Sequence, residues 1–217
     1  MNDFNYKYIP DDPIVYRFDY RYIKRLMDIV GSFLLLILFI PIYIVIAIFV
    51  KADSPGPILY EWNTTGKNGT PFKGWKFRTM VPNAEQIKVK LEDKNEMVGP
   101  VFKIKDDPRI TRIGKFLRKY SFDESIQFYC VLKGDMSLVG PRPAGAFELV
   151  NYKEWQRRRM SVMAGLTGPW QVSGRNKINN FDDWVKLDLN YIDNWSLWLD
   201  VKILFKTIPA AFRGTGM

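Results

Sequence analysis

Residues 29–50 read IVGSFLLLILFIPIYIVIAIFV, a run of 22 residues without a formal charge. At about 1.5 Å per residue, a helix of this length covers roughly 30 Å, the hydrocarbon thickness of a bilayer. Lys24 and Arg25 precede the run, and Lys51 follows it. The run is too long for a signal-peptide core and no small-residue cleavage site follows it, so it predicts a membrane segment.

Pro41, near the middle of this run, leaves two membrane arrangements open. Proline removes one helical hydrogen bond and clashes with the preceding turn. A kinked helix that spans the bilayer is one reading, because membrane helices tolerate proline. A re-entrant helix-break-helix that leaves by the face it entered is the other. The chain after Lys51 is basic, so the positive-inside rule predicts that this part is cytoplasmic in either arrangement.

The composition excludes several kinds of chemistry. The chain of 217 residues has 32 Lys plus Arg and 23 Asp plus Glu, hence a net charge of +9, with no histidine and one cysteine, Cys130. Common zinc sites, Ser-His-Asp or Cys-His nucleophiles and internal disulfides are therefore ruled out. Carboxylates, Lys, Arg or a hard metal remain for catalysis. The positive charge favours nucleic acid, an anionic membrane or a phosphate-bearing substrate as partner.

The rest of the chain predicts a mostly helical α+β protein with a small β-hairpin. Aromatic runs at residues 58–62 and 72–77 flank a polar turn, which is typical of a hairpin. Apolar spacing predicts helices over 109–120, 181–192 and 196–212. We also expect a helix over 83–95 capped by Asn83, an amphipathic stretch over 146–160 and a loop over 165–174. Trp184, Trp195 and Trp198 fit either a membrane interface or core packing.

Asp123 and Glu124 are the leading candidates for chemistry. A capping box, formed by Ser121 and Glu124 at a helix start, explains the pair without any catalytic function. However, seven basic residues against two acids lie between residues 101 and 120, so the pair follows a strongly cationic stretch. Adjacent acids at a helix start point in different directions. One can then bind a metal while the other attacks a phosphate.

Three cations are candidates for phosphate binding. Arg142 lies between Pro141 and Pro143, whose restricted backbones hold it for bidentate recognition, although a surface turn explains the pattern equally well. Lys76 and Arg78 alternate along a predicted strand, which places both on one face, toward either phosphate or water.

Taken together, the motifs resemble those of the bacterial monotopic phosphoglycosyl transferases, which are polyprenyl-phosphate sugar-phosphate transferases of surface glycan assembly. The resemblance runs from about residue 20 to the C-terminus. Its motifs are KRxxD at residues 24–28, KFRTM at 76–80, DDPRIT at 106–111, DE at 123–124, KGDMSLVGPRP at 133–143, GLTG at 165–168 and WQVSGR at 170–175.

The resemblance implies a covalent mechanism. Asp123 would attack the β-phosphate of a UDP-sugar, UMP would leave, and the phosphosugar would pass to undecaprenyl phosphate. UDP-glucose and UDP-galactose are the donors it favours, for exopolysaccharide, capsule or O-antigen synthesis. Glu124 would hold Mg²⁺. Arg118 and Lys76 match family positions needed for activity.

The resemblance also implies binding residues and a location. The motif of Pro141, Arg142 and Pro143 is associated with the uridine nucleotide, and Arg175 with the phosphate pocket. The membrane helix would break at Pro41. The protein would lie at the cytoplasmic face of the inner or plasma membrane, on inner-leaflet phospholipids, with no nucleic-acid partner. The sequence leaves a homodimer open.

The predicted division of the chain has three parts: an N-terminal juxtamembrane segment at 1–28, the re-entrant helix at 29–50 and a cytosolic catalytic domain at 51–217. Three departures from the family pattern stand out. Ile40 replaces a frequent serine before Pro41, Met163 and Ala164 replace a basic residue and proline, and Ser125 and Ile126 follow the acid pair in place of Leu-Pro or Leu-Leu.

Two other functions stay open on the sequence. One is a membrane-anchored scaffold whose basic face binds acidic lipids or nucleic acid. The other is a family member that has lost its activity, which the change at Met163 and Ala164 leaves open.

Overall fold

The computed structural model describes residues 18–175 and 178–212. It is about 59% helical with a small sheet, in agreement with the predicted mostly helical α+β fold. The helices are α1 Phe18–Asp53, α2 Ala84–Val89, α3 Arg112–Lys119, α4 Phe128–Lys133, α5 Ala146–Val150, α6 Glu154–Arg157, α7 Pro169–Val172, α8 Phe181–Asp193 and α9 Leu197–Phe212. Short 3-10 helices cover Lys67–Gly69, Glu92–Lys94, Phe122–Gln127 and Arg158–Ser161. The strands are β1 Leu59–Thr65, β2 Pro71–Phe77, β3 Ser137–Val139, β4 Ala144–Gly145 and β5 Gly165–Thr167.

Helix α1 is the one helix in the described part of the chain that is long and apolar enough to cross a membrane. It runs through Pro41 without interruption, so the predicted helix break at Pro41 is wrong as a change of secondary structure. Packing accounts for the continuity. Phe39 and Tyr43, on either side of the proline, contact aromatic rings of the globular part, among them Phe122 and Phe77. These contacts support the turn from which Pro41 removes a hydrogen bond.

Polar groups anchor α1 to the globular part near both of its ends. Close to its beginning, Lys24 donates to buried Asp200, and Asp28 accepts from Ser137 and from the backbone N–H of Leu138. At its end, Asp53 accepts from the backbone N–H of Ile113. The helix therefore lies along the domain over most of its length.

The predicted hairpin is confirmed, and the sheets are small. β1 and β2 pair antiparallel from Leu59 opposite Phe77 to Thr65 opposite Pro71, and β4 adds to the other edge of β1. A second sheet consists of the parallel strands β3 and β5. Its core neighbours are buried side chains of α4, α8 and α9, such as Val131, Ile192 and Ile203.

Helices α3, α8 and α9 confirm the periodicity predictions, whereas other predicted elements are shorter or divided. The helix expected over 83–95 ends at Val89, and Asn83 makes no side-chain cap. The stretch 146–160 divides into α5, α6 and a 3-10 turn, and the loop expected over 165–174 contains β5 and α7. Glycine at position 165 lets β5 approach the chain after β3 closely, because a Cβ there would lie 2.0 Å from the backbone N of Gly140.

The three tryptophans considered for a membrane interface divide between the two readings. Trp184 and Trp195 are buried in the core. Trp198 is 68% exposed on α9, on a helix that also exposes Phe205 and Phe212. Core packing therefore explains the first two, and only Trp198 is placed where an interface could use it.

Candidate active site

The acid pair lies at the start of the 3-10 helix Phe122–Gln127, directly after a residue with an unusual backbone. Ser121 has φ 59° and ψ 22°, in the left-handed region, and its side chain makes no capping hydrogen bond. The predicted capping box is therefore wrong, because an N-cap residue normally has an extended backbone that aims its oxygen at the helix. Instead, the Ser121 hydroxyl accepts a hydrogen bond of 2.8 Å from Arg175.

Asp123 is buried, with 7% of its surface exposed. Burial, and then the neighbouring charge of Glu124, raise the pKa of Asp123, while Lys76, Arg118 and Arg175 act in the opposite direction. The carboxyl group thus combines poor solvation with three surrounding cations. A carboxylate that has lost its water shell but keeps compensating charges is suited to attack an anionic phosphate.

Glu124 differs from its neighbour in its protonation. Burial works to raise its pKa, but Lys76, Arg175 and Arg142 outweigh burial and lower the pKa to about 2. The Nζ atom of Lys76 lies 2.5 Å from Oε1 of Glu124. Glu124 is therefore ionised at neutral pH. Two adjacent carboxyls whose pKa values move apart are the pattern expected for two different chemical roles.

Lys76 and Arg118 approach the acids from two different elements. Lys76, at the end of β2, also lies over the Trp62 ring of β1, 4.7 Å from its centroid. Arg118, in the last turn of α3, donates from Nε to the Thr79 hydroxyl at 2.8 Å. Burial lowers the pKa of Arg118. Both predicted catalytic cations thus lie beside the acid pair.

Arg142 lies in an ordered loop rather than in the surface turn that the sequence left open. Pro141 and Pro143 are buried, and the Arg142 carbonyl accepts from Arg159 at 3.1 Å. The Arg142 guanidinium lies 3.9 Å from the Glu148 carboxylate and over the Trp184 ring. Its charge reaches Glu124 and contributes to the low pKa of that residue.

A small pocket of about 10 Å³ lies behind this loop and includes Ala164 in its lining. This places the departure at Met163 and Ala164 against the predicted nucleotide loop. The cavity wall there is apolar, whereas the family pattern has a basic residue and proline.

Arg78 has a different role from either one predicted for it. Its side chain is buried and donates to the carbonyls of Val50, Ser54 and Pro55, at the end of α1. The last carbonyls of a helix lack intrahelical partners, so Arg78 caps α1. It faces neither phosphate nor open water.

Sequence reasoning missed a buried polar network beneath Arg142. Arg159 donates to Asp188, to the hydroxyl of Tyr152 and to the carbonyl of Arg142 itself. A signal for this network is present in the sequence. Asp188 lies three residues after Val185 and four before Ile192, so the helical period of α8 places an acid on its apolar face.

The carboxylates of the site fit a magnesium ion only together with a substrate. Within residues 18–175 and 178–212, no group of three or more acids, cysteines or histidines forms a metal cluster. Magnesium usually takes one or two carboxylates and completes its shell with water and substrate phosphates. Lys76 contacts Oε1 of Glu124, which leaves Oε2 for a cation. The pair fits magnesium that arrives with a phosphate substrate.

Comparison with known proteins identifies the family. Residues 19–214 match the family described as bacterial sugar transferase. The chain belongs to this family. It is 47% identical over 201 residues to the galactosyl transferase CpsE of Streptococcus agalactiae, covering 93% of this chain and 44% of that protein.

Two further relatives differ in the share of their own length that this chain covers. The undecaprenyl-phosphate galactose phosphotransferase of Salmonella typhimurium is 42% identical over 200 residues, covering 90% of this chain and 42% of that protein. The exopolysaccharide production protein ExoY of Sinorhizobium fredii is 39% identical over 197 residues, with 89% and 87% covered. The chain thus spans less than half of the first two relatives but most of the third.

Proposed function

We propose that this bacterial sugar transferase moves a sugar-1-phosphate from a UDP-sugar to undecaprenyl phosphate and releases UMP. The observation that carries the proposal is the convergence of four cations, Lys76, Arg118, Arg142 and Arg175, on the acid pair of buried Asp123 and half-buried Glu124. Both substrates are anionic, and the acceptor is a lipid, which suits a site built beside an apolar helix. The names of two relatives specify galactose, so UDP-galactose is the first donor to test, followed by UDP-glucose.

The chemistry proceeds in two displacements at phosphorus. An oxygen of Asp123 attacks the phosphorus that carries the sugar, the bond from that phosphorus to the bridging oxygen breaks, and UMP leaves with the bonding electrons. The aspartyl-phosphosugar is then attacked by an oxygen of undecaprenyl phosphate. The acyl-phosphate bond breaks, the Asp123 carboxylate is regenerated, and the product is undecaprenyl diphosphate sugar.

The surrounding cations supply the electrostatic part of catalysis. Negative charge moves onto the leaving UMP in the first step, and preorganised cations beside that charge lower the barrier. Lys76, Arg118 and Arg175 act on the charge of Asp123, and Lys76, Arg175 and Arg142 act on the charge of Glu124. Glu124 would hold magnesium, which neutralises phosphate charge when bound.

The arrangement of α1 supports a monotopic attachment to the membrane. The domain contacts of Lys24 and Asp53 are 29 residues apart, about 44 Å along a helix, which exceeds the roughly 30 Å of bilayer hydrocarbon. If α1 stood across the bilayer, groups of the domain that contact its middle, such as the Ser125 carbonyl that accepts from the Tyr43 hydroxyl, would lie at hydrocarbon depth. We therefore expect both ends of α1 on the cytoplasmic side, with its exposed apolar face on inner-leaflet lipid.

The nucleophile assignment is tested with Asp123→Asn in membranes supplied with undecaprenyl phosphate. We expect loss of UMP release and loss of radiolabel trapped on the protein from the UDP-sugar. Asp183→Asn is the matched control, because Asp183 is an exposed acid in the first turn of α8. Appreciable turnover by Asp123→Asn would rule out Asp123 as nucleophile. Wild-type protein inactive with every UDP-sugar would instead support the scaffold alternative.

The membrane arrangement has its own test. Arg21→Cys and Ala52→Cys place exposed thiols near the two ends of α1, in a Cys130→Ser background. A membrane-impermeant maleimide should label both from the same side of sealed vesicles. Labelling from opposite sides would show a spanning helix.

A further inference from the structure

Two stacked tryptophans each contact one arginine of the candidate site. The rings of Trp170 on α7 and Trp184 on α8 are stacked, with centroids 3.9 Å apart and planes within 9°. The Arg175 guanidinium lies over Trp170, 5.8 Å from its centroid, and the Arg142 guanidinium lies over Trp184 at the same distance. Each ring of the stacked pair is therefore in contact with one of the two arginines.

Both rings are buried in the core, and Trp184 contacts a second arginine. Trp184 is 2% exposed and Trp170 is 8% exposed. Arg159 also lies over Trp184, 5.4 Å from its centroid, while Asp188 neutralises the charge of Arg159. A buried pair of stacked rings that also packs against an ion-paired arginine has little freedom to change its orientation. Stacked aromatic faces attract guanidinium groups electrostatically, so the stack limits the positions available to Arg142 and Arg175.

Each arginine has a further fixed contact besides the stack. Arg175 donates to Ser121, which is two residues before Asp123. The Arg142 guanidinium lies 3.9 Å from the Glu148 carboxylate, and its carbonyl accepts from Arg159. A loop arginine on its own would lose side-chain entropy on binding a phosphate, and prior ordering removes part of that loss.

We infer that the Trp170–Trp184 stack is a positioning element that holds Arg175 and Arg142 ready for the diphosphate of the donor. The inference rests on the proposed function. It assigns to two buried tryptophans an effect on donor affinity and rate that they exert through the arginines, without contact with the substrate.

A double-mutant cycle tests whether Trp170 acts through Arg175. We expect Trp170→Leu to lower kcat/KM for the UDP-sugar about tenfold, between the scales of an exposed and a desolvated cation–π contact, with most of the effect on KM. Trp170→Phe keeps an aromatic face and should retain most activity. In an Arg175→Lys background, which removes the planar guanidinium, Trp170→Leu should cause little further loss.

The control separates positioning from general damage to the core. Trp195 is equally buried, at 4% exposure, but its polar contact is with Asp200, away from the arginines. Trp195→Leu should lower the unfolding temperature and leave the KM of the folded enzyme unchanged. Should Trp170→Leu not fold, Trp170→Met fills more of the space and carries the same comparison.

The outcomes distinguish this inference from the proposed function. Turnover by the wild type would support the proposed function. The inference would still fail if the effects of Trp170→Leu and Arg175→Lys were additive, or if Trp170→Leu had the KM of the wild type. If the wild type released no UMP, the proposed function would fail. Calorimetric binding of UDP to the same variants would then test whether the stack positions the two arginines. Loss of tryptophan exciton coupling in circular dichroism would verify that Trp170→Leu removed the stack.

Discussion

The ammonium group of Lys76 acts on both acids of the candidate site, since it lies 2.5 Å from Oε1 of Glu124 and also lowers the pKa of Asp123. One cation from β2 therefore serves both carboxylates. It keeps Glu124 ionised and offsets part of the desolvation of Asp123. The end of the hairpin thus helps to set the protonation of both acids.

Replacing Lys76 should reduce activity more than stability. Lys76→Met removes the partner of Glu124 and one of three cations beside Asp123, so we expect kcat to fall about 100-fold, the scale of one lost electrostatic contact in an active site. Lys76→Arg should retain more activity because it keeps the charge. UMP release measured with Lys73→Met as control, an exposed lysine on the same strand, checks this. A kcat for Lys76→Met close to wild type would contradict it.

The pH dependence of the reaction should report Asp123 rather than Glu124. Glu124 has a pKa of about 2 and remains ionised at any practical pH, whereas burial raises the pKa of Asp123 above its ordinary value of 3.8. Because the carboxylate is the nucleophile, the rate should fall as pH decreases through the raised pKa. Removing Lys76 takes away a charge that lowers this pKa.

The acid limb of kcat against pH should therefore lie at higher pH in Lys76→Met than in wild type. Glu124→Gln should move the limb the other way, because the negative charge of Glu124 raises the pKa of Asp123. Single-turnover UMP release over a pH series measures both shifts. Coincident limbs in all three proteins would show that Asp123 does not control the profile.

Asp200 should be essential for attaching α1 to the domain. It is fully buried and accepts hydrogen bonds from Lys24, Tyr191 and Trp195. Asp200→Ala leaves the Lys24 ammonium buried and unpaired, which costs about 3–5 kcal/mol. We expect a clearly lower unfolding temperature in detergent.

The double variant Lys24→Met with Asp200→Ala provides the control, because removing both charges avoids the unpaired one. It should recover part of the lost stability. Equal stability of the single and double variants would mean that the ion pair does not anchor the helix.

Arg78 should contribute to stability and not to substrate binding. Arg78→Met leaves three carbonyls at the end of α1 without their partner, which costs about 1–3 kcal/mol for each buried group that stays unsatisfied. Thermal unfolding should show the loss, while the KM of the folded enzyme for the UDP-sugar stays unchanged. A raised KM at unchanged stability would indicate that Arg78 binds substrate phosphate and does not cap α1.

The sequence predicted those elements whose signals are local. The 3.6-residue period of α8 and α9, the polar turn between β1 and β2, and the uncharged run in α1 each lie within one segment, and the structure has all of them. The order of the motifs along the chain also indicated the residues of the candidate site, which are the acid pair, Lys76, Arg118, Arg142 and Arg175.

Several assignments could not be made from local signals. The residues at 121 and 124 match the sequence pattern of a capping box, but the backbone of Ser121 is left-handed and forms none. Arg78 alternates with Lys76 along the strand, but its side chain binds carbonyls at the end of α1. In both cases the outcome depends on a partner that is distant along the chain. Pro41 is similar, because contacts of Phe39 and Tyr43 with distant rings keep the helix continuous.

By itself, the sequence determined the chemistry open to this protein: no imidazole, a pair of carboxylates, an excess of cations and an apolar helix. Only the tertiary structure decided that β2, α3 and two loops bring four cations to Asp123 and Glu124. It also decided that Trp170 and Trp184 stack, each in contact with one of those cations. The physical reason is that spacing along the chain specifies a face of a helix or strand, while charges and rings from distant segments meet only when the core has packed.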